Sequence, residues 1–142
     1  MMDTKFFELL HTLELLKDKT ITIFMNRFKN VNISQIILLS KLKEDGPQKS
    51  STIAEKIGYT PGAITGMTNK LIKEEYILRV PQEYDRRVTL ISITDKGIKL
   101  LEEAQKQEEI LRNDIYSTLN DEETEQLLKI QKKLLEQVDR LK

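Results

Sequence analysis

Residues 50–97 constrain the fold more tightly than any other stretch of the chain. Ser50-Ser51-Thr52-Ile53-Ala54-Glu55-Lys56-Ile57 is apolar at a helical spacing, and Gly58 follows as a turn residue. Thr60-Pro61 then reads as a second helix start, a threonine cap followed by proline at the first helical position. That second helix is predicted to run to about Glu74. Residues 77–82 and 88–93 are two β-type runs joined by a polar turn that holds Asp85, Arg86 and Arg87. Two short helices across a tight turn, followed by a hairpin, form a winged helix-turn-helix.

The rest of the chain reads as helix. Phe6, Leu9, Leu10, Leu13 and Leu16 repeat at three- and four-residue steps within a helix predicted over 3–29, weakened locally by the β-branched run at 20–23. Ile36, Leu39 and Leu42 mark a second helix over 33–42. Ser50 and Ser51 are predicted to cap a helix over 52–57. Thr94 caps a long helix with Leu101, Ala104, Glu108, Leu111 and Ile115 on one stripe. Asn120 and Glu123 open a last helix carrying Leu127, Leu128, Ile130, Leu134, Leu135, Val138 and Leu141. The expected fold is mostly α, with six helices and a small β-hairpin wing.

The first and last helices carry more apolar residues than a narrow buried stripe needs, around a winged-helix core near the lower size limit for a lone domain. Pairing with a second copy would bury the excess; folding back onto the same chain is the alternative. Dimerisation through the N- and C-terminal helices is the expectation. The organisation is therefore one domain over 1–142, with a DNA-binding lobe at 33–97 and dimerisation helices at 1–30 and 98–142.

Charge narrows the partners. The chain holds 23 basic and 23 acidic residues, which argues against a globally steered nucleic-acid binder. The distribution is uneven: residues 31–97 carry ten basic and eight acidic side chains, and residues 98–142 carry eight and eleven. Residues 60–73 contain Lys70 and Lys73 and no acid. There are no cysteines and one histidine, so a transition-metal site, a thiol switch and a disulfide framework are not expected. No cofactor is implied. No apolar run is long enough to cross a bilayer and no signal-peptide pattern opens the chain, so a cytoplasmic address and no membrane partner are expected. No nucleophile-elbow, P-loop, dinucleotide-binding or His-Glu-x-x-His pattern is present, and an enzyme is not expected.

Within the helix-turn-helix, Ile53, Ile57, Tyr59, Ile64 and Met67 are the expected core between the two helices. Thr60, Pro61, Gly62, Ala63, Thr65, Gly66, Thr68, Asn69 and Lys70 are the candidate DNA-facing set. Two glycines in a helix cost about 1 kcal/mol each relative to alanine. Either DNA approaches the backbone there or the helix packs tightly within the protein. Threonine suits a thymine methyl or a phosphate, and asparagine can bond adenine bidentately, so the set suits A·T-rich sequence. Ser50, Ser51 and Thr52 are expected at the DNA backbone. At the wing tip, Asp85 would orient Arg87 into a minor groove with Arg86 near phosphate; the plainer reading is a solvated ion pair.

At these residues the chain resembles the MarR family of bacterial transcription regulators. The resemblance rests on Asp85-Arg86-Arg87, on the strand from Leu90 to Thr94, on Gly97, and on Leu119-Asn120-Asp121-Glu122-Glu123 at the entry to the last helix. It implies a winged-helix homodimer that binds double-stranded DNA at a pseudo-palindromic operator, usually as a repressor, and releases it on binding a small aromatic or anionic effector. The chain departs from the family pattern in three places. Gly66 replaces a common recognition-helix arginine, Glu75 replaces a helix-ending glycine, so that this helix is expected to end differently, and Ile93 replaces a leucine. His11, Phe24 and Phe28 are the candidates for an effector cleft, with His11 more simply a solvent-edge or dimer-interface residue. A winged-helix protein-interaction module, or a DNA-binding-deficient antagonist of a relative, is the alternative function.

Overall fold

A computed structural model describes residues 3–29, 31–85 and 87–142. The element order is α1 (Thr4–Arg27), α2 (Ile33–Asp45), α3 (Ser50–Ile57), α4 (Pro61–Lys73), β1 (Ile77–Pro81), β2 (Thr89–Ile93), α5 (Asp95–Tyr116) and α6 (Asp121–Arg140). The chain divides into two compact units, Met1–Glu108 and Glu109–Lys142.

In the first unit, α1 continues without interruption through its β-branched run. The hydroxyls of Thr20 and Thr22 donate to the carbonyls of Leu16 and Asp18, one turn back, which satisfies them within the helix. Asn32 begins α2 with a reciprocal capping box. Its side chain accepts from Gln35 N at 2.9 Å, and its own N–H donates to Gln35 Oε1 at 3.0 Å. This pairs the side-chain oxygen of Gln35, which is buried. The inward face of α2 is Leu38, Leu39 and Leu42, fully buried; Ile36, expected inside, is only half-buried.

The start of α3 differs from the sequence expectation. Lys49 is its N-cap and no side chain caps it, so Ser50 and Ser51 lie inside the first turn rather than ahead of it. The preceding Gln48 explains the earlier start. Its backbone pairs in both directions with Ile91 of β2, at 3.2 and 2.8 Å, which fixes the chain as it enters the helix. Gly58 ends α3 at φ +75°, and Tyr59 N closes onto Ala54 O at 2.9 Å. Tyr59 Oη donates to Ser34 Oγ at 2.7 Å and ties this turn to α2.

α4 starts as the sequence requires, with Thr60 Oγ1 accepting from Ala63 N at 3.2 Å and Pro61 in the first turn. Its last turn closes as a Schellman motif, with Tyr76 N donating to Leu71 O and Glu75 N to Ile72 O, both at 2.9 Å. The left-handed position belongs to Glu75, at φ +67°. The expectation that loss of glycine changes the helix end is therefore corrected: the same termination forms, with a non-glycine residue in a strained conformation.

The hairpin is antiparallel, with Ile77 opposite Ile93 and Arg79 opposite Ile91. Ile77 and Ile91 are buried and join Leu38, Leu39, Leu42, Ile53, Ile64 and Leu71 in one core. Thr94 locks the hairpin to α5. Its Oγ1 accepts from Gly97 N at 3.0 Å and donates to Glu75 O at 2.7 Å. A side chain at Gly97 would place Cβ 2.2 Å from Tyr76 O, so only glycine fits this crossing. Leu101 and Ala104 of α5 are buried as expected, and Leu100 is buried beside them; Glu108, expected on the same stripe, is exposed.

In the second unit, Asn120 and Glu123 form the expected capping box of α6, at 2.8 and 3.0 Å. No described residue of α6 is buried.

Candidate nucleic-acid interface

The exposed face of α4 follows from which residues its core face uses. Ile64, Thr68 and Leu71 are buried, at steps of four and three residues. The opposite side therefore carries Gly62, Ala63, Gly66, Asn69, Lys70 and Lys73, all exposed. A Cβ at Gly62 or Gly66 would meet nothing within 4 Å. The packing explanation for these glycines is thereby removed: no part of the described chain needs the space. What remains is a smooth strip of backbone flanked by an amide and two ammonium groups.

Several candidate side chains are exposed. Thr60, Pro61 and Thr65 are exposed beside the strip, although the Thr65 hydroxyl donates back to Pro61 O at 2.8 Å. Ser51 is exposed, while Ser50 and Thr52 are half-buried at the N-terminus of α3. Thr68 is a correction. It is 3 % exposed and its Oγ1 is buried without a hydrogen-bond partner, so it faces the core and not DNA. The 3.6-residue period places it within 40° of Ile64, so position on the helix outweighs the polarity of its hydroxyl. Ile57, Tyr59 and Met67, expected in the core, are half-buried at its edge.

At the hairpin tip, Arg87 Nε donates to Asp85 Oδ1 at 3.1 Å and Nη2 to Oδ2 at 3.2 Å. The Arg87 backbone N–H donates to Oδ1 at 3.0 Å. Each carboxylate oxygen is thus engaged, and the guanidinium is held by a two-point fork while its side chain stays 91 % exposed. The Arg87 side-chain bond, with the Arg87 backbone bond second, holds the Asp85 carboxyl below its ordinary pKa, and the charge of Lys49 adds to the lowering. Arg86 lies outside the described residues.

The structure adds two residues that the pattern did not single out. Lys49 is within electrostatic reach of the wing carboxylate. Arg79 of β1 donates from Nη2 to Asn69 Oδ1 at 3.0 Å, joining the hairpin to the exposed face of α4. The available signal was the alternation of β1, which puts Arg79 on the same face as Ile77.

The proposed effector residues do not come together. Phe24 and Phe28 are 6 % and 5 % exposed, with ring centroids 5.7 Å apart, and they are core; His11 is exposed on α1. Phe24 and Phe28 are a buried i, i+4 pair whose rings fill one another's space. Among the described residues, no cluster of three or more potential metal ligands occurs.

Residues 31–89 match the sequence model of the MarR family. The HTH-type transcriptional regulator MhqR of Bacillus subtilis (strain 168) is 32% identical over 104 residues, which span 73% of this chain and 72% of that protein. This chain belongs to the MarR family. The HTH-type transcriptional repressor MdtR, from the same organism, is 34% identical over 106 residues, 75% of this chain and 68% of the relative. The crystal structure of the YusO protein from B. subtilis superposes with a TM-score of 0.80 at 29% identity, covering 96% of this chain and 98% of that one. Apo wild-type MarR from E. coli shares the fold, with a TM-score of 0.73 at 19% identity over 95% and 98% of the two chains. The chain is thus a MarR-family transcriptional regulator with the family's winged-helix fold; the family comprises DNA-binding homodimers and not enzymes. No helix among the described residues is long and apolar enough to cross a membrane.

Proposed function

We propose that this MarR-family protein is a cytoplasmic, homodimeric repressor that binds a pseudo-palindromic operator. The observation that carries the reading is the exposed backbone strip of α4 together with a wing-tip arginine held by a two-point fork. α4 enters the major groove with Gly62 and Gly66 against the DNA, and Asn69 and Lys70 at its edges. Arg87, oriented by Asp85, reaches the flanking minor groove. Ser51, with Ser50 and Thr52, offers the first turn of α3 to the phosphate backbone. Residues 33–97 form the DNA-binding lobe. The helices at 1–30 and 98–142 form the dimer.

Two exposed apolar faces support the dimer. On α1, Leu9 and Leu13 are 63% and 60% exposed; on α6, Leu134 and Leu135 are 62% and 63% exposed. Isolated exposed leucines need no explanation, but stripes of them on long helices expect a partner. A second copy is the economical one, because a two-fold dimer presents two recognition helices to two half-sites. The relative MdtR is named a repressor, which favours that sense of regulation here. Release by a small aromatic or anionic effector follows from the family resemblance, with residues other than Phe24 and Phe28 lining its site.

A gel-shift with the DNA upstream of the protein's own gene tests this reading. Wild type should shift the fragment as a dimer, with affinity falling steeply as salt rises. Arg87→Ala should weaken the shift by about tenfold or more while the dimer elutes unchanged. Absence of any shift at low salt would favour a protein-interaction module or a DNA-binding-deficient antagonist.

A further inference from the structure

We infer that Arg79 is a positioning residue that turns the Asn69 amide and thereby sets which base α4 reads. The inference rests on the proposed entry of α4 into the major groove. Arg79 reaches Asn69 because of the strand register. It lies directly opposite buried Ile91, and opposed residues share a face of the hairpin. The same face carries buried Ile77, which packs in the core with Ile64 and Leu71 of α4. Arg79 sits two residues nearer the tip than Ile77, and its Nη2 donates to Asn69 Oδ1 at 3.0 Å. Both residues are exposed.

A guanidinium carries donors only, so the amide atom it meets must be the oxygen. That fixes the amide plane, with Oδ1 turned towards the hairpin and the two Nδ2 donors turned the other way. Adenine presents an acceptor and a donor side by side in the major groove, and a bidentate asparagine meets them with Nδ2 and Oδ1. Oδ1 has two lone pairs, so it can accept from Arg79 and from adenine N6 together. An amide held by Arg79 cannot flip, so the edge it presents to a base is fixed. Arg79 also keeps its remaining N–H groups, and its charge, for a neighbouring phosphate.

The test separates charge from orientation. Wild type, Asn69→Ala, Arg79→Lys and Arg79→Met are used to select from a duplex library randomised across the operator. Asn69→Ala marks the base pair read by the amide, where its preference disappears. Wild type should select one base pair there. Arg79→Lys, which keeps the charge but not the planar fork, should change preference at that same pair by about tenfold while the salt dependence of binding stays as in wild type. Arg79→Met should show the same change in preference with a shallower salt dependence.

An Arg79→Lys selection identical to wild type would overturn the inference. Failure of both Arg79 variants to fold would also overturn it, because the residue would then hold the hairpin rather than orient Asn69. If wild type selects no sequence at all, the entry of α4 into the groove falls with it. That outcome is distinct from selection that is unchanged by Arg79.

Discussion

Gly66→Ala should stabilise the free protein and weaken its grip on DNA, two effects of opposite sign from one methyl group. Gly66 lies in the interior of α4, and a Cβ there meets nothing within 4 Å. Alanine in an exposed helix interior is favoured over glycine by about 1 kcal/mol, because glycine loses more backbone freedom on folding. For a chain of this size that corresponds to roughly 3–4 °C in Tm. Gly62→Ala should add a smaller increment, since first-turn positions feel helix propensity less. On DNA, the same methyl stands on the strip proposed to meet the groove. Overpacking a fitted interface by a methyl group costs about 1–3 kcal/mol, or roughly 5- to 150-fold in affinity. Thermal unfolding and a fluorescence-anisotropy titration on one operator duplex read the two effects on the same preparations. Raised stability with unchanged affinity would refute close approach of DNA at Gly66. Lowered stability would refute the premise that the space above it is empty.

Thr68→Val should leave stability unchanged or raise it by about 1 kcal/mol, because it removes a buried hydroxyl without a partner and keeps the shape; urea unfolding checks this, and operator affinity should not move. Glu75→Gly should stabilise the fold by about 1 kcal/mol, measured by thermal unfolding, since it relieves a left-handed residue and removes a carboxylate from the negative end of α4. The wing-tip fork should depend on pH in one direction. The bonds to Arg87 hold the Asp85 carboxyl below its ordinary pKa. The fork is therefore intact at and above the ordinary aspartate range and opens as pH falls through the depressed value. A carbon-detected NMR titration of the Asp85 carboxyl, with a midpoint below that of an unpaired aspartate, is the check, and Arg87→Ala should return the midpoint to the ordinary range.

How far the pattern reads correctly depends on how local the cause is. Thr60-Pro61 and Asn120 with Glu123 specify helix starts through hydrogen bonds reaching three residues, and both form as read. Asn32 with Gln35 is an equally local cap, which the apolar spacing of α2 does not mark. The start of α3 differs from its expected place because its cause is distant: Gln48 is held by Ile91, 43 positions later. An aromatic pair at helical spacing, such as Phe24 and Phe28, looks the same whether it lines a cleft or fills a core.

The segment over 50–97 thus determined by itself that the chain is a winged helix. Helical period, strand alternation, a capped proline start and a turn bearing Asp85 and Arg87 are properties of neighbouring residues, and each survives without knowledge of the rest. Tertiary structure alone decided which way the ambiguous side chains face. It turned Thr68 inward beside Ile64 and emptied the space above Gly66. It also held Glu75 in a glycine's conformation and brought Arg79 to Asn69. The reason is that a side chain's orientation within a known helix or strand depends on the element packed against it, and that neighbour is chosen by the whole core. What the chain offers to DNA was therefore only half written in its motif; the other half is the register that sets the hairpin beside α4.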